Sequence, residues 1–404
     1  MLLFENKKQK LLNLLKFTGS PFKKFVSTGE IEEDIGLIYS RQDLLNSIIN
    51  IIEKDGNFIL PIIGDVGTGK THIFWALKHE LYYYNIVYIS LEKVIKKFYY
   101  YIYSEFVENM GIEVLRSIAR RLCDKWGALE RKFGFFHVVD IQKVRKVAFD
   151  NWAPNFENKT AIKDIINAIT AHQLDPYKKI EIERWFLGEV IDIRELSRLD
   201  LSHDLRGRNH SYTMLKILVE NSMVNSVLFI DDFEKIISMM KPISLEEEKE
   251  EVFDRSWLYG SRESPEKRTA EKLLDKILNL NKIKDLRLII TLKSLDYYEE
   301  IKKEFENNGL LNALKEPVIL SNFIEKDIFT FYKKNLEFFF GNINYFDYFR
   351  DFSDSYYPLN EKVLQSIYTN SNGNPREIIK ILIKIFNDII LSNEDLNEIL
   401  ENYQ

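Results

Sequence analysis

The stretch NFILPIIGDVGTGKT, Asn57 to Thr71, joins a short apolar run to a glycine-rich turn. Its second half, Gly64-Asp65-Val66-Gly67-Thr68-Gly69-Lys70-Thr71, fits the pattern G-x-x-x-x-G-K-S/T at every fixed position. Glycines at such spacing let backbone N–H groups converge on phosphate oxygens at a helix N-terminus. Lys70 would then reach the β- and γ-phosphates, and Thr71 would ligate Mg²⁺. Apolar residues recur at helical spacing from Thr71 to Leu81, so the order is strand, loop, helix, as the phosphate loop requires.

Further strands are expected at Asn85–Leu91 (NIVYISL), Ser226–Ile230 (SVLFI) and Leu286–Leu292 (LRLIITL). Strands alternating with helical patterns imply a mostly parallel sheet with helices on both faces. The interval between Leu91 and Ser226 is too long for one crossover. It carries helical patterns such as VENMGIEVLRSIARRLCDKW, Val107 to Trp126, so residues 95–222 read as a helical insertion. The expected organisation is an N-terminal helical segment over 1–40, an α/β nucleotide-binding core over 41–321 and a helical lid over 322–404.

The strand at Ser226 ends in Asp231-Asp232-Phe233-Glu234. A carboxylate at the end of a buried strand is costly unless it serves a cation. Asp231 is placed to hold Mg²⁺ with Thr71, and Asp232 to orient and activate the attacking water, with Glu234 as the second candidate. Farther on, SNGNPRE, Ser371 to Glu377, has Asn374 placed to cap a helix whose first turn tolerates Pro375. That puts the rigid guanidinium of Arg376 in a first helical turn, where it can meet a phosphate.

These motifs together resemble the AAA+ P-loop ATPases, and within them the archaeal initiator-like (origin-recognition-like) group and the related STAND ATPases. The resemblance rests on GEIEEDIGLIYSRQDLL before the loop, GDVGTGKT, VLFIDDFE, LRLIITLKS and SNGNPREI. It implies ATP and Mg²⁺ as ligands, hydrolysis of ATP to ADP and phosphate, and an oligomeric or partner-bound machine. It also implies a sensor-1 polar residue at Thr291 or Ser294 and a sensor-2 arginine at Arg376. Asp232 stands where the family more often has Glu, a pattern shared with signalling STAND proteins that turn over slowly. No arginine stands clearly at the subunit-finger position; Arg255, Arg262 and Arg268 lie in a plausible region, and LNALKEPVIL offers Lys315. Initiators of this group carry a winged-helix DNA-binding domain after the lid, for which the residues up to Gln404 leave no room.

Net charge is −6, so any nucleic-acid contact must come from a local patch. One such patch lies in 116–146, where Arg116, Arg120, Arg121, Lys125, Arg131, Lys132, Lys143, Arg145 and Lys146 face only Asp124, Glu130 and Asp140. Trp126, Phe133, Phe135 and Phe136 are interleaved with it. Exposed, they would stack on bases while the cations hold the DNA backbone; otherwise the segment is a helical insertion with a solvated basic face and core aromatics. The acidic run Glu246–Glu251 reads as an exposed helix start or loop. A single cysteine, Cys123, cannot form an internal disulfide, which suits a reducing cytosol, and the six histidines show no metal-ligand spacing. The opening MLLFENKKQKLLNLLKF is broken by charges and is expected to be an amphipathic helix, so a cytoplasmic protein without a membrane segment is expected.

Overall fold

The computed structural model describes residues 2–24, 39–54, 56–91, 96–128, 140–240, 265–352 and 355–404. Five parallel strands form one sheet: β1 Ile59–Ile63, β2 Asn85–Ser90, β3 Ser226–Asp231, β4 Leu286–Leu292 and β5 Val318–Ile319, in the order β2-β3-β4-β1-β5. Every residue of β1, β3 and β4 is buried, as a parallel sheet covered on both faces demands. The short β5 carried too little apolar sequence to be expected as a strand.

Alternation along the strands divides the core in two. Leu60, Ile62, Ile86, Val227, Phe229 and Ile289 face α2 (Tyr39–Lys54) and α3 (Lys70–Glu80). Ile59, Val87, Leu228, Ile230, Leu288 and Ile290 face the opposite side. That side is covered by the helices between β2 and β3: α4 Phe98–Met110, α5 Ile112–Cys123, α6 Ile141–Trp152, α7 Lys159–Leu174, α8 Lys179–Phe186, α9 Ile193–Arg198 and α10 Arg208–Glu220. These helices share one continuous apolar core with the sheet, so the insertion is welded to the α/β unit. The same side holds α11 Glu234–Met240, α12 Pro265–Leu280 and α13 Leu295–Asn307.

The C-terminal helices have their own core. It is formed by α14 Glu325–Asn342, α15 Asp347–Phe352, α16 Glu361–Ser371, α17 Pro375–Leu391 and α18 Leu396–Glu401. Leu11 and Leu15 of the N-terminal helix, Leu2–Thr18, are fully buried in this cluster together with Phe22. The first helix therefore completes the C-terminal unit, although some 300 residues separate them in sequence; Lys7 also pairs with Asp351 at 2.7 Å. Among the described residues no helix is long and apolar enough to cross a membrane.

Candidate functional site

The loop Gly64–Gly69 runs from the end of β1 to the start of α3. Its turn is closed by Thr68, whose N–H and hydroxyl both donate to the Asp65 carbonyl at 3.3 and 2.8 Å. Gly67 has φ +88, and a Cβ there would lie 2.6 Å from Asn374 Oδ1 and 2.8 Å from Arg376 Cβ. Glycine is required at this point because the C-terminal unit presses directly on the loop.

The contact is made by hydrogen bonds. Asn374 caps α17 through its Oδ1, which accepts from the N–H groups of Arg376 and Glu377. Its Nδ2 donates to the Val66 carbonyl at 2.9 Å, and the Arg376 N–H donates to the Gly67 carbonyl at 3.2 Å. SNGNPRE thus brings Arg376 to the glycine loop; its guanidinium makes no hydrogen bond or ion pair with a described residue and is half-buried.

Tyr88, Ser90, Asp231 and Thr291 lie on the sheet face that α3 covers, since Ser90 pairs in register with Asp231 and Tyr88 with Phe229. Asp231 is 5% exposed and is the hub of the site. Its Oδ2 accepts from Thr71 Oγ1 at 2.7 Å and from the Tyr88 hydroxyl at 2.8 Å. Its Oδ1 accepts from the hydroxyl of Thr291 and from the Asp232 N–H at 3.1 Å. Thr291 Oγ1 also accepts from the Asp232 N–H at 3.0 Å. Of the two sensor-1 candidates, Thr291 therefore touches Asp231, while Ser294 occupies the N-cap position of α13.

Asp232 turns the chain sharply at φ +59, a conformation that costs a non-glycine residue of order 1–3 kcal/mol. Ser90 Oγ donates to its Oδ2 at 3.2 Å. Burial, then the charges of Asp231 and Glu234, push the Asp232 carboxyl above its usual value. Glu234 is 2% exposed. Lys293 Nζ stands 3.2 Å from its Oε1 as an ion pair without hydrogen-bond geometry, and Oε2 has no hydrogen-bond partner among the described residues. Lys70 Nζ donates to the carbonyls of Gly64 and Asp65 at 2.5 and 3.1 Å. Burial lowers its pKa, opposed by Glu234, Asp231 and Asp232, which all lie near enough to act on it.

The raised Asp232 carboxyl yields a stability expectation. A carboxyl whose folded pKa exceeds its unfolded value favours folding at low pH and loses that advantage as pH rises through the folded pKa. At neutral pH the charged Asp232 thus opposes folding, and Asp232→Asn should raise the melting temperature of the ligand-free protein. The gain should shrink as pH falls through the raised folded pKa, where the wild-type carboxyl is neutralised. Thermal melts of both proteins at several pH values check this.

Four residues of the site were missed in the sequence: Tyr88, Ser90, Lys293 and Arg41. The first two were legible as alternate positions on β2 beside the acidic strand end, and Lys293 as the residue just past β4. Arg41 carried no local signal. It is 8% exposed, donates to the Thr68 carbonyl at 2.5 Å and the Ser321 carbonyl at 2.8 Å, and lies 4.8 Å from the Phe323 ring centroid. Burial, opposed by Asp327, pushes its pKa down to about 10, so it stays charged at neutral pH. It ties the glycine loop to the segment leading into α14. Arg41→Ala would orphan two carbonyls and should cost about 2–3 kcal/mol of stability, seen as an earlier urea midpoint.

Of the two readings of the basic insertion, Trp126 follows the one with core aromatics. Trp126 is buried in a T-shaped contact with Trp152, ring centroids 5.0 Å apart, so it cannot stack on a base. Arg116 forms a two-pronged pair with Glu183, Arg145 pairs with Asp200 and bonds Thr170, and Arg121 donates to the Asn221 carbonyl. Arg120, Lys125, Lys143 and Lys146 are exposed. Arg131, Lys132, Phe133, Phe135 and Phe136 lie outside the described residues, as do Arg255, Arg262 and Glu246–Glu251. Arg268 falls on α12 and Lys315 just before β5.

No protein-family model matches this chain, and no curated protein matches it.

Proposed function

We propose that this chain is a Mg²⁺-dependent P-loop ATPase of the AAA+ kind, converting ATP and water to ADP and phosphate. The observation that carries the reading is the 2.7 Å hydrogen bond between Thr71 Oγ1, at the start of α3, and Asp231 Oδ2, at the end of β3. A hydroxyl and a carboxylate so paired beside a glycine loop and a lysine are a donor set that would hold a hard cation. Glu234 supports it independently, because a buried carboxylate oxygen without a partner is costly unless it serves a bound group.

In this reading Gly64–Gly69 and Lys70 hold the triphosphate, and Thr71 and Asp231 hold Mg²⁺. The cation would neutralise charge on the β- and γ-phosphates. Asp232, or Glu234, orients the water. Arg376 supplies a positive charge from the C-terminal unit, whose Asn374 and Arg376 backbone contacts couple the state of the loop to the position of the lid.

Two outputs fit such a site. One is a DNA-associated oligomeric machine, resting on the exposed cations Arg120, Lys125, Lys143 and Lys146. The other is a STAND-like switch with slow turnover. The second is favoured by the short Asp232, held by Ser90, in place of the longer glutamate. Steady-state phosphate release with and without DNA separates them. Turnover that rises with DNA supports the machine; tight ATP binding with negligible turnover under both conditions supports the switch.

A further inference from the structure

On the far side of the sheet from the glycine loop, Asp164 of α7, His203 in the turn before α10 and His210 of α10 converge. One ligand atom from each lies within 4.8 Å of the others. We propose that this triad is a binding site for a divalent transition-metal cation, zinc foremost, that clips α7 to the start of α10.

The donor chemistry selects the ion. Two imidazoles and one carboxylate form a borderline N/O set that suits Zn²⁺ and does not suit Mg²⁺ or Ca²⁺, which prefer oxygen alone. His210 Nε2 lies 3.0 Å from Asp164 Oδ2 in a hydrogen bond that a cation would replace, against a separation of about 3.4 Å for two ligands ~2.1 Å from a tetrahedral ion. The separations within the set, up to 4.8 Å, are to be closed by rotamer adjustment of the exposed His203 ring.

The surroundings are built to hold these groups. The side chains of Asp164 and His210 are 5% and 7% exposed. Asp164 Oδ2 accepts from the Ser202 N–H at 3.0 Å, the His203 N–H at 3.2 Å and the Ser202 hydroxyl at 2.5 Å. All these donors, with His210, converge on Oδ2. His203 Nδ1 rests 2.9 Å from Ser202 Oγ, the kind of secondary contact that fixes the ring of a metal-bound histidine. The turn itself is pinned by buried Leu201 and Leu205 and by Trp185, whose indole N–H donates to the His203 carbonyl at 3.0 Å. Exposure of His203 gives the ion a route in and leaves a fourth position for water. Sequence spacing hides the set, because Asp164 precedes His203 by 39 residues.

The test is zinc binding by the full-length chain after stripping with chelator, read by calorimetry, with Co²⁺ as a spectroscopic substitute. About one equivalent should bind, with the visible bands of tetrahedral cobalt. His203→Ala, an exposed position where the fold should survive by circular dichroism, should weaken binding at least roughly tenfold and abolish those bands. Lys70→Ala should bind zinc as the wild type does, which separates this site from the phosphate loop. Absence of an equivalent in the wild type, or undiminished binding in His203→Ala, would overturn the proposal.

Discussion

Asp231→Asn is expected to cut Mg²⁺-dependent ATP turnover by at least about a hundredfold while leaving the protein folded. The side chain volume barely changes, and the hydroxyls of Thr71, Tyr88 and Thr291 can turn to meet an amide as they meet the carboxylate. What disappears is the negative charge beside Thr71, and a neutral amide holds a hard cation far more weakly than a carboxylate does. The same change removes a like charge from beside Asp232, whose carboxyl is partly raised by Asp231. Thermal stability without nucleotide should therefore hold or rise while turnover collapses. Phosphate release and a melting curve on the same preparation check both halves; loss of turnover together with loss of fold would point to a structural role instead.

Lys70→Ala should have an effect of similar size, but on nucleotide affinity as well as rate. Lys70 reaches across the loop, donating to the carbonyls of Gly64 and Asp65. In the proposed site its ammonium turns to the β- and γ-phosphates, where charge develops during transfer. Removing it should weaken ATP binding and lower kcat/KM by about 10²-fold or more, a loss of roughly 3 kcal/mol in transition-state stabilisation. Initial rates over a range of ATP concentrations give the value. A variant within a factor of two of the wild type would remove Lys70 from the chemistry.

The features legible in the sequence are those set by local pattern. The runs ending at Ile63, Leu91, Ile230 and Leu292 announced four strands because parallel strands buried on both faces are largely apolar. The spacing of Gly64, Gly67, Gly69 and Lys70 marked the turn, and Asn374-Pro375 marked the start of α17. What stayed hidden depends on the packing of distant segments. The burial of Leu11 and Leu15 against α17 could not be read from a charged, amphipathic opening. Arg41 became part of the site only because Thr68 and Ser321 come together over it. Trp126 looked as ready to stack on a base as on a core neighbour until Trp152 was brought beside it. Chemistry that arises from tertiary meeting, such as Lys293 with Glu234 or Asp164 with His203 and His210, leaves no periodic trace.

The most direct test of the central claim, that Lys70, Thr71 and Asp231 build a Mg²⁺–nucleotide site, is a calorimetric titration of the wild-type chain with ATP in Mg²⁺ and again in excess EDTA. Saturable binding in the micromolar range with Mg²⁺, weakened at least about tenfold in EDTA, is the expected result. Absence of binding at millimolar ATP, or binding indifferent to Mg²⁺, would contradict it.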